Sequence, residues 1–454
     1  MATLPPVTDT LASFVTASDF SAIPEKTRTN AKMHILDTLG VALAGSKTSV
    51  ADIAVDYCKK LGASDQASIW GTSTKASAAT AAFANGLLSH ALDYDDWDAF
   101  IHVGHPSSML VGAALPLAEY LGASGKDLLK AYVLAMEVIC KLAAASPNLH
   151  DRGFHSTPVF GTLGAAVACG SLLRLDPAKL KAALGIAASA AGGIQRQQGS
   201  MVKPFHAGNS ARHGAEAALL ASNGFTADPA IFEAPRGFCD TFFGPGACDY
   251  EKIIANLGQP YFLESPGMGL KFHPCSAPQF LAADAALHLK HEHKIDFANV
   301  AKMEVSIPPE RYKRHYSAEV KTGLRGKFAI NYVVAMAFLD GKLEIQTFTD
   351  EYVNQTRVQE ALGKVKVIID ESIPEPGPYC PVSVELRDGA RYSYTAKIAK
   401  GDQRNPLSEA EVMAKFRANA KLAISEKQSE ALASAVATLE SVDNVKTIAD
   451  LLTV

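Results

Sequence analysis

Through roughly the first 265 residues, apolar positions recur at the three-to-four-residue spacing of helices that turn one face inward. Met33, Leu36, Leu39 and Leu43 line such a face over residues 25–44. Ser124-Gly-Lys-Asp127 has the form of a capping box and predicts a helix running to about residue 145. Asp176-Pro177 sets an N-cap residue before a proline at the first helical position, which predicts a helix to about residue 191. Residues 76–91, 158–173, 182–193 and 207–222 are rich in Ala, Gly and Ser on every face. Small side chains all round let helices approach closely, so these four belong inside a bundle.

The pattern changes after Pro266. Residues 302–307 (KMEVSI) alternate and stop at Pro308-Pro309, and residues 364–369 (KVKVII) form a second strand candidate. Residues 382–398 alternate on either side of Asp388-Gly389, a hairpin signal. Helical spacing returns over 278–291 and 327–339, and Ser408-Glu-Ala-Glu411 is a second capping box, after which the chain stays helical. The reading is mostly α with an inserted α+β domain. A large all-helical bundle domain takes residues 1–265 and 405–454, and a smaller α+β domain takes 266–404.

Composition narrows the class. A chain of 454 residues with 48% hydrophobic and 20% charged residues folds around large cores. A net charge of −4 argues against a nucleic-acid or anionic-membrane surface, which needs clustered Lys and Arg. The seven cysteines are odd in number, scattered and never in C-x-x-C spacing, which predicts reduced thiols in a cytoplasmic setting. The N-terminal stretch lacks the basic and apolar regions of a secretory signal. The longest apolar run, 157–173, is broken by Gly161, Gly164, Gly170 and Ser171, so no membrane span is expected. There is no G-x-x-x-x-G-K-[ST] phosphate loop, no dinucleotide fingerprint and no G-x-S-x-G elbow.

Three clusters could carry chemistry. Residues 90–107 crowd Asp93, Asp95, Asp96 and Asp98 beside His90, His102 and His105 after an apolar helix, a costly arrangement unless paired or functional. A solvated acidic loop is the plainer alternative. The segment fails as a calcium loop, and His102-x-x-His105 is a weak metal pair without the glutamate of a zincin. In residues 153–164, His155 precedes a Ser-Thr-Pro helix start where N–H groups favour an anion; a capping histidine is the alternative. In residues 199–214, Lys203 stands between Gly199 and Pro204 before an Ala-rich helix, the setting of a partly desolvated lysine that binds a carboxylate or moves protons. A surface lysine is the alternative. Ser200-Met-Val-Lys203 and Lys321-Thr-Gly323 imitate a serine acyl-enzyme, but Tyr352-Val-Asn354 falls after the K-T-G rather than between the two motifs.

In this order and spacing the clusters resemble the MmgE/PrpD family, which includes 2-methylcitrate dehydratases, cis-aconitate decarboxylases and iminodisuccinate epimerases. The matching pieces are His90-x-x-Asp93-x-Asp-Asp96, His105-Pro-Ser, Gly153-Phe-His155, Gly199-Ser-Met-Val-Lys203-x-x-His206-x-Gly, Asn223-Gly-Phe-Thr226, Lys271-Phe-His-Pro-Cys275 and Lys327-Phe-x-x-x-Tyr332. The resemblance implies a homodimer of two-domain subunits whose α+β domain is a lid, and a site between the domains. It also implies that no metal or organic cofactor takes part. Asp93, His105, His155, Lys203 and Tyr332 would be catalytic, with Lys271, Ser276 and His206 binding substrate. It implies a lyase of dehydratase type on a small di- or tricarboxylate, with an epimerase second and a non-catalytic carboxylate binder as a further alternative. Cis-aconitate decarboxylases carry Thr where Trp97 stands and a further His where Ser276 stands, which ranks decarboxylation of cis-aconitate behind dehydration and epimerisation among the expected reactions.

Overall fold

The computed structural model describes residues 4–62, 64–146 and 149–454. Residues 1–3 of the N-terminal stretch read above lie outside them. The described chain is mostly helical, with one four-stranded sheet and short two-residue pairings. It divides into two compact units: 1–91, 95–270 and 408–454 form the first, and 92–94 with 271–407 the second.

The first unit is a helical bundle. Its principal helices are α1 (Glu25–Gly45), α2 (Ala78–His90), α3 (Pro106–Leu121), α4 (Gly125–Ala144), α5 (Ser156–Leu172), α6 (Pro177–Ala190) and α7 (Val202–Ser222). The short helix α8 (Phe238–Phe243) follows. Local chemistry starts them where the sequence indicates. Ser124 and Asp127 complete the capping box of α4, and Asp176 accepts from Lys179 N–H at the head of α6. α2 begins two residues later than its Ala-rich run suggests, because Lys75–Ala76 pairs with Ala67–Ser68 and Ser77 becomes the cap.

The Ala/Gly-rich helices pack backbone to backbone. A methyl group added to Gly112 of α3 would lie 2.7 Å from the Gly86 Cα of α2. One added to Gly208 of α7 would lie 2.4 Å from the Phe83 carbonyl of α2, and one added to Gly214 would lie 2.6 Å from the Ala166 nitrogen of α5. Buried apolar area in such a core comes from many small contacts rather than a few large side chains. A strand pair, β1 (Asp96–Trp97) with β2 (Gly269–Leu270), ties the loop after α2 to the end of this unit's second segment.

In the second unit, α9 (Phe280–Glu292) leads into β3 (Val300–Ile307), and α10 (Ile330–Asp340) and α11 (Thr356–Gly363) lead into β4 (Val365–Ile369). The hairpin β5 (Cys380–Leu386) and β6 (Arg391–Ala396) completes a sheet of order β4-β3-β5-β6. β3 and β4 are parallel and the other pairs antiparallel. At the hairpin turn Gly389 has φ 88°, Gly389 N–H donates to the Leu386 carbonyl at 3.0 Å, and Asp388 accepts from Ala390 N–H. Inward residues of β3 and β5 (Met303, Val305, Val382, Val384) bury against Ala282, Ala286 and Leu289 of α9 and Val334 and Phe338 of α10. The expected helix over 327–339 begins at Ile330, and α11 has no counterpart in the sequence reading. The chain returns to the first unit with α12 (Glu409–Ala420), opened by the Ser408–Glu411 capping box.

Candidate active site

His90 is the last residue of α2, so the helix aims its ring at the loop that follows. That ring is fully buried. Lys203, in the first turn of α7, donates from Nζ to His90 Nε2 at 2.8 Å. An ammonium can only donate, so Nε2 is the accepting nitrogen and the proton of the neutral ring sits on Nδ1. Nδ1 lies 2.7 Å from Asp95 Oδ2, and the same carboxylate oxygen accepts from Ser108 Oγ at the start of α3. The result is a buried line from Asp95 through His90 to Lys203.

A second imidazole flanks this line. His105, half-buried before α3, places Nδ1 2.6 Å from the Asp96 carbonyl, an acceptor only, so Nδ1 carries its proton as well. Its ring centroid is 4.8 Å from that of His90. The Asp96 carboxylate accepts from Ser107 N–H at 3.1 Å and from Ser107 Oγ, which also contacts Tyr132 Oη at 2.7 Å. Burial, then the neighbouring Asp95, pushes the Asp96 carboxyl well above the usual range, which favours its protonated form.

His155 is the residue before α5, and its side chain makes no capping hydrogen bond. It is buried, with Nδ1 3.0 Å from His206 Nδ1 on α7. Burial first, then the positive Lys203, holds His155 well below the ordinary imidazole range. His206 is pushed down to about 4, again chiefly by burial. Both rings are therefore neutral near pH 7, and one of the two facing nitrogens donates while the other accepts. Beside them the buried Thr157 Oγ1, in the first turn of α5, has no hydrogen-bond partner among the described residues.

The second unit holds the remaining sequence-selected residues. Lys271 is fully buried and donates from Nζ to Asp93 Oδ1 at 2.5 Å and to the Asp93 carbonyl at 2.9 Å. Asp93 has φ 53°, in the left-handed region that Asp tolerates better than most residues. Lys327 donates to the Leu92 and Pro274 carbonyls, both at 2.7 Å, and its own carbonyl accepts from Ser276 N–H at 3.0 Å. Tyr332 is buried, with its hydroxyl donating to the Thr347 carbonyl at 2.5 Å.

His105, His155, Lys203 and His206 thus gather in the first unit, and Asp93, Lys271, Ser276 and Tyr332 lie in the second. His90 and Asp95 were visible in the 90–107 cluster but were not selected as site residues. The available signal was a histidine closing an otherwise apolar helix. His102 and His105 do not act as a pair: the His102 ring lies 5.7 Å from that of His150, while His105 turns to Asp96. Ser200 Oγ donates to the Gln197 carbonyl at 2.8 Å, and Thr322 Oγ1 accepts from Arg325 N–H at 3.2 Å, so both hydroxyls of the acyl-enzyme imitation serve local turns.

A helical body with buried neutral imidazoles beside a lysine defines a protein equipped for proton transfer. The chain belongs to the MmgE/PrpD family: the model of the MmgE/PrpD N-terminal domain matches residues 9–251, and that of the MmgE/PrpD C-terminal domain matches 273–441. It is 30% identical to the cis-aconitate decarboxylase of Homo sapiens over 98% of this chain and 94% of that protein. It is 26% identical to the cis-aconitate decarboxylase-like protein oryM of Aspergillus oryzae, over 96% and 95%. The mitochondrial 2-methylcitrate dehydratase of Yarrowia lipolytica is 24% identical over 76% of this chain and 69% of its own length. Decarboxylases and dehydratases are both lyases. No helix of the described residues is long and apolar enough to cross a membrane.

Proposed function

We propose that this protein is a lyase of dehydratase type that removes a proton next to a carboxylate of a small di- or tricarboxylate, such as 2-methylcitrate or a citrate-like acid. The observation that carries the reading is the Asp95–His90–Lys203 line beside the neutral His155–His206 pair. A C–H beside a carboxylate is weakly acidic, so its removal needs a neutral base and a cation to take up the developing charge. His155 supplies the base, and its depressed proton affinity keeps it ready at neutral pH. Lys203 supplies the positive charge, either clamping a carboxylate or protonating the departing hydroxide. His105 adds proton transfer or hydrogen bonding, and Asp93 with Lys271 and Ser276 bind substrate or hold the groups that do; Tyr332, whose buried hydroxyl is committed to the Thr347 carbonyl, supports the fold around them rather than reaching substrate.

A second reading, decarboxylation, is supported by the printed activity of the human relative, which aligns along nearly the whole chain. The Ser276 position weighs against it. Incubation with 2-methylcitrate, citrate, cis-aconitate and iminodisuccinate in D₂O, followed by NMR, distinguishes these chemistries. Loss of water with deuterium entering next to a carboxylate is the expected result. Release of carbon dioxide from cis-aconitate would establish the second reading, and deuterium exchange with inversion alone would indicate an epimerase. A protein that neither turns over nor exchanges any of the four would sink the lyase reading.

A further inference from the structure

Two close-packed helices bring His90 to Lys203. Gly86 of α2 stands one helical turn before His90, and Ala207 of α7 stands one turn after Lys203. A methyl group added to Gly86 would lie 3.0 Å from the Ala207 carbonyl and 3.2 Å from the Gly208 Cα, so the two backbones nearly touch. That approach lets the end of α2 meet the start of α7. It leaves His90 Nε2 2.8 Å from Lys203 Nζ.

Helix stability does not call for a lysine at this position. The first turn of α7 carries the positive end of the helix dipole and has no acidic residue, so its own helix opposes a cation there. A lysine also has a long, flexible stem, whose rotamer freedom must be given up before the charge stands at one point. His90 supplies the counterpart, a fully buried ring whose Nε2 can only accept from the ammonium. That bond exists only while the ring proton stays on Nδ1, and Nδ1 faces Asp95 Oδ2 at 2.7 Å. Asp95 is itself buried, and the same oxygen accepts from Ser108 Oγ, so the carboxylate is held in turn.

We propose that His90 and Asp95 are positioning residues for Lys203: Asp95 sets the tautomer of His90, and His90 Nε2 fixes the point at which the ammonium meets an anionic group of the substrate. The proposal rests on the lyase reading for what Lys203 does, and on the hydrogen bonds alone for where it stands. A charge that stabilises a transition state must be in place before the reaction begins, and a tethered ammonium meets that need where a swinging one does not. A ring carrying its proton on Nε2 would turn a donor toward a donor, and Lys203 would swing away. Both residues therefore act through the lysine.

The test compares the full chain with His90→Gln and His90→Asn, assayed on whichever of 2-methylcitrate, citrate, cis-aconitate and iminodisuccinate the wild type converts. Glutamine can bring its amide oxygen near the place of Nε2, while asparagine reaches only the place of Nδ1. His90→Asn should therefore lower kcat/KM by about thirtyfold, and His90→Gln by only about threefold. In a Lys203→Ala background, His90→Asn should cost less than about twofold further, because its effect runs through the lysine. Equal losses in the two His90 variants, or full additivity with Lys203→Ala, would make His90 a packing residue and overturn the proposal. The second measurement needs no substrate. Two-bond ¹H–¹⁵N spectra of histidine-labelled protein, with the His90 signals identified by their absence from His90→Gln, should show Nδ1 protonated and Nε2 bare. In Lys203→Ala, where no ammonium demands an accepting Nε2, Asp95 should still keep the proton of the neutral ring on Nδ1. A wild-type ring protonated on Nε2, or a proton that moves to Nε2 in Lys203→Ala, would overturn the proposal. Should the wild type convert none of the four acids, the lyase reading fails, while the spectra still decide the positioning.

Discussion

At the scale of single residues, four imidazoles and one ammonium share a buried cluster, and the protein keeps the positive charge on the lysine. His90 and His105 are fixed in one tautomer by what their Nδ1 atoms face, while burial keeps His155 and His206 neutral. If His155 is the base, kcat/KM should stay level from pH 8 down through 6.5, with its acid limb displaced below that value; an acid limb centred near 6.5 would assign the base elsewhere. His155→Gln preserves bulk and hydrogen bonding but cannot cycle a proton. It should lower kcat by roughly 10²–10⁴-fold and suppress solvent deuterium exchange into substrate. Exchange at the wild-type rate with reduced turnover would instead place His155 after C–H cleavage. Lys203→Ala should cost about a hundredfold in kcat/KM, about 2.7 kcal/mol of transition-state stabilisation. Lys203→Arg should rescue poorly, because a planar fork cannot occupy the place of a point donor to His90. Near-normal turnover in both variants would make the lysine a bystander. The sequence disclosed the residue types but not the pairings. Nothing in the order His90, Asp93, Asp95, Asp96 says that Asp95 reaches His90 while Asp93 reaches Lys271, 178 residues away.

Elements were legible where local chemistry decides them and obscure where tertiary packing does. The capping boxes at Ser124 and Ser408 and the Asp388-Gly389 turn operate as their sequences indicate, because each closes its own hydrogen bonds within a few residues. The pairing of β1 with β2 and the parallel register of β3 with β4 join residues far apart and leave no periodic trace. α11 was missed because it is short and its apolar face is only Val358, Ala361 and Leu362. The glycine-rich helices were expected inside the bundle, and the crossings explain why they need glycine. Gly112→Ala should destabilise the protein by about 1–3 kcal/mol, since the new methyl meets backbone that cannot rotate away. Gly363→Ala, which meets nothing within 4 Å and closes α11, should be neutral or stabilising by up to about 1 kcal/mol. Urea midpoints measured side by side check the contrast; equal shifts would mean the α2–α3 crossing relaxes freely.

At the scale of the whole molecule, buried titratable groups couple stability to pH in opposing directions. His34 of α1 is buried, its Nδ1 has no hydrogen-bond partner among the described residues, and burial, then Lys415, pushes it down to about 4. Between pH 6.5 and 4 the unfolded chain protonates this histidine and the folded chain does not. The contribution is thus complete above 6.5 and lost as pH falls, amounting to roughly 3 kcal/mol. Asp37 and Asp96 act oppositely: burial raises both, so the folded state holds their protons where the unfolded state has released them, and their cost grows as pH rises through the acid range. His34→Asn isolates the first effect. Its stability should fall less steeply than wild type between pH 6.5 and 4, and parallel curves would show that His34 does not titrate as described. The second unit has its own consequence for anyone dividing the protein. Its buried Lys271 and Lys327 find their partners on Leu92 and Asp93, in a three-residue stretch the chain supplies long before the rest of that unit. A fragment spanning 271–407 would therefore contain nearly every residue of the unit and still strand the Lys271 ammonium without its Asp93 acceptors, at several kcal/mol, while Lys327 would keep the Pro274 carbonyl and lose that of Leu92. The unit is contiguous in space but not separable by a pair of cuts, and a severed 271–407 would be rescued, if at all, by adding back a short peptide containing Leu92–Tyr94.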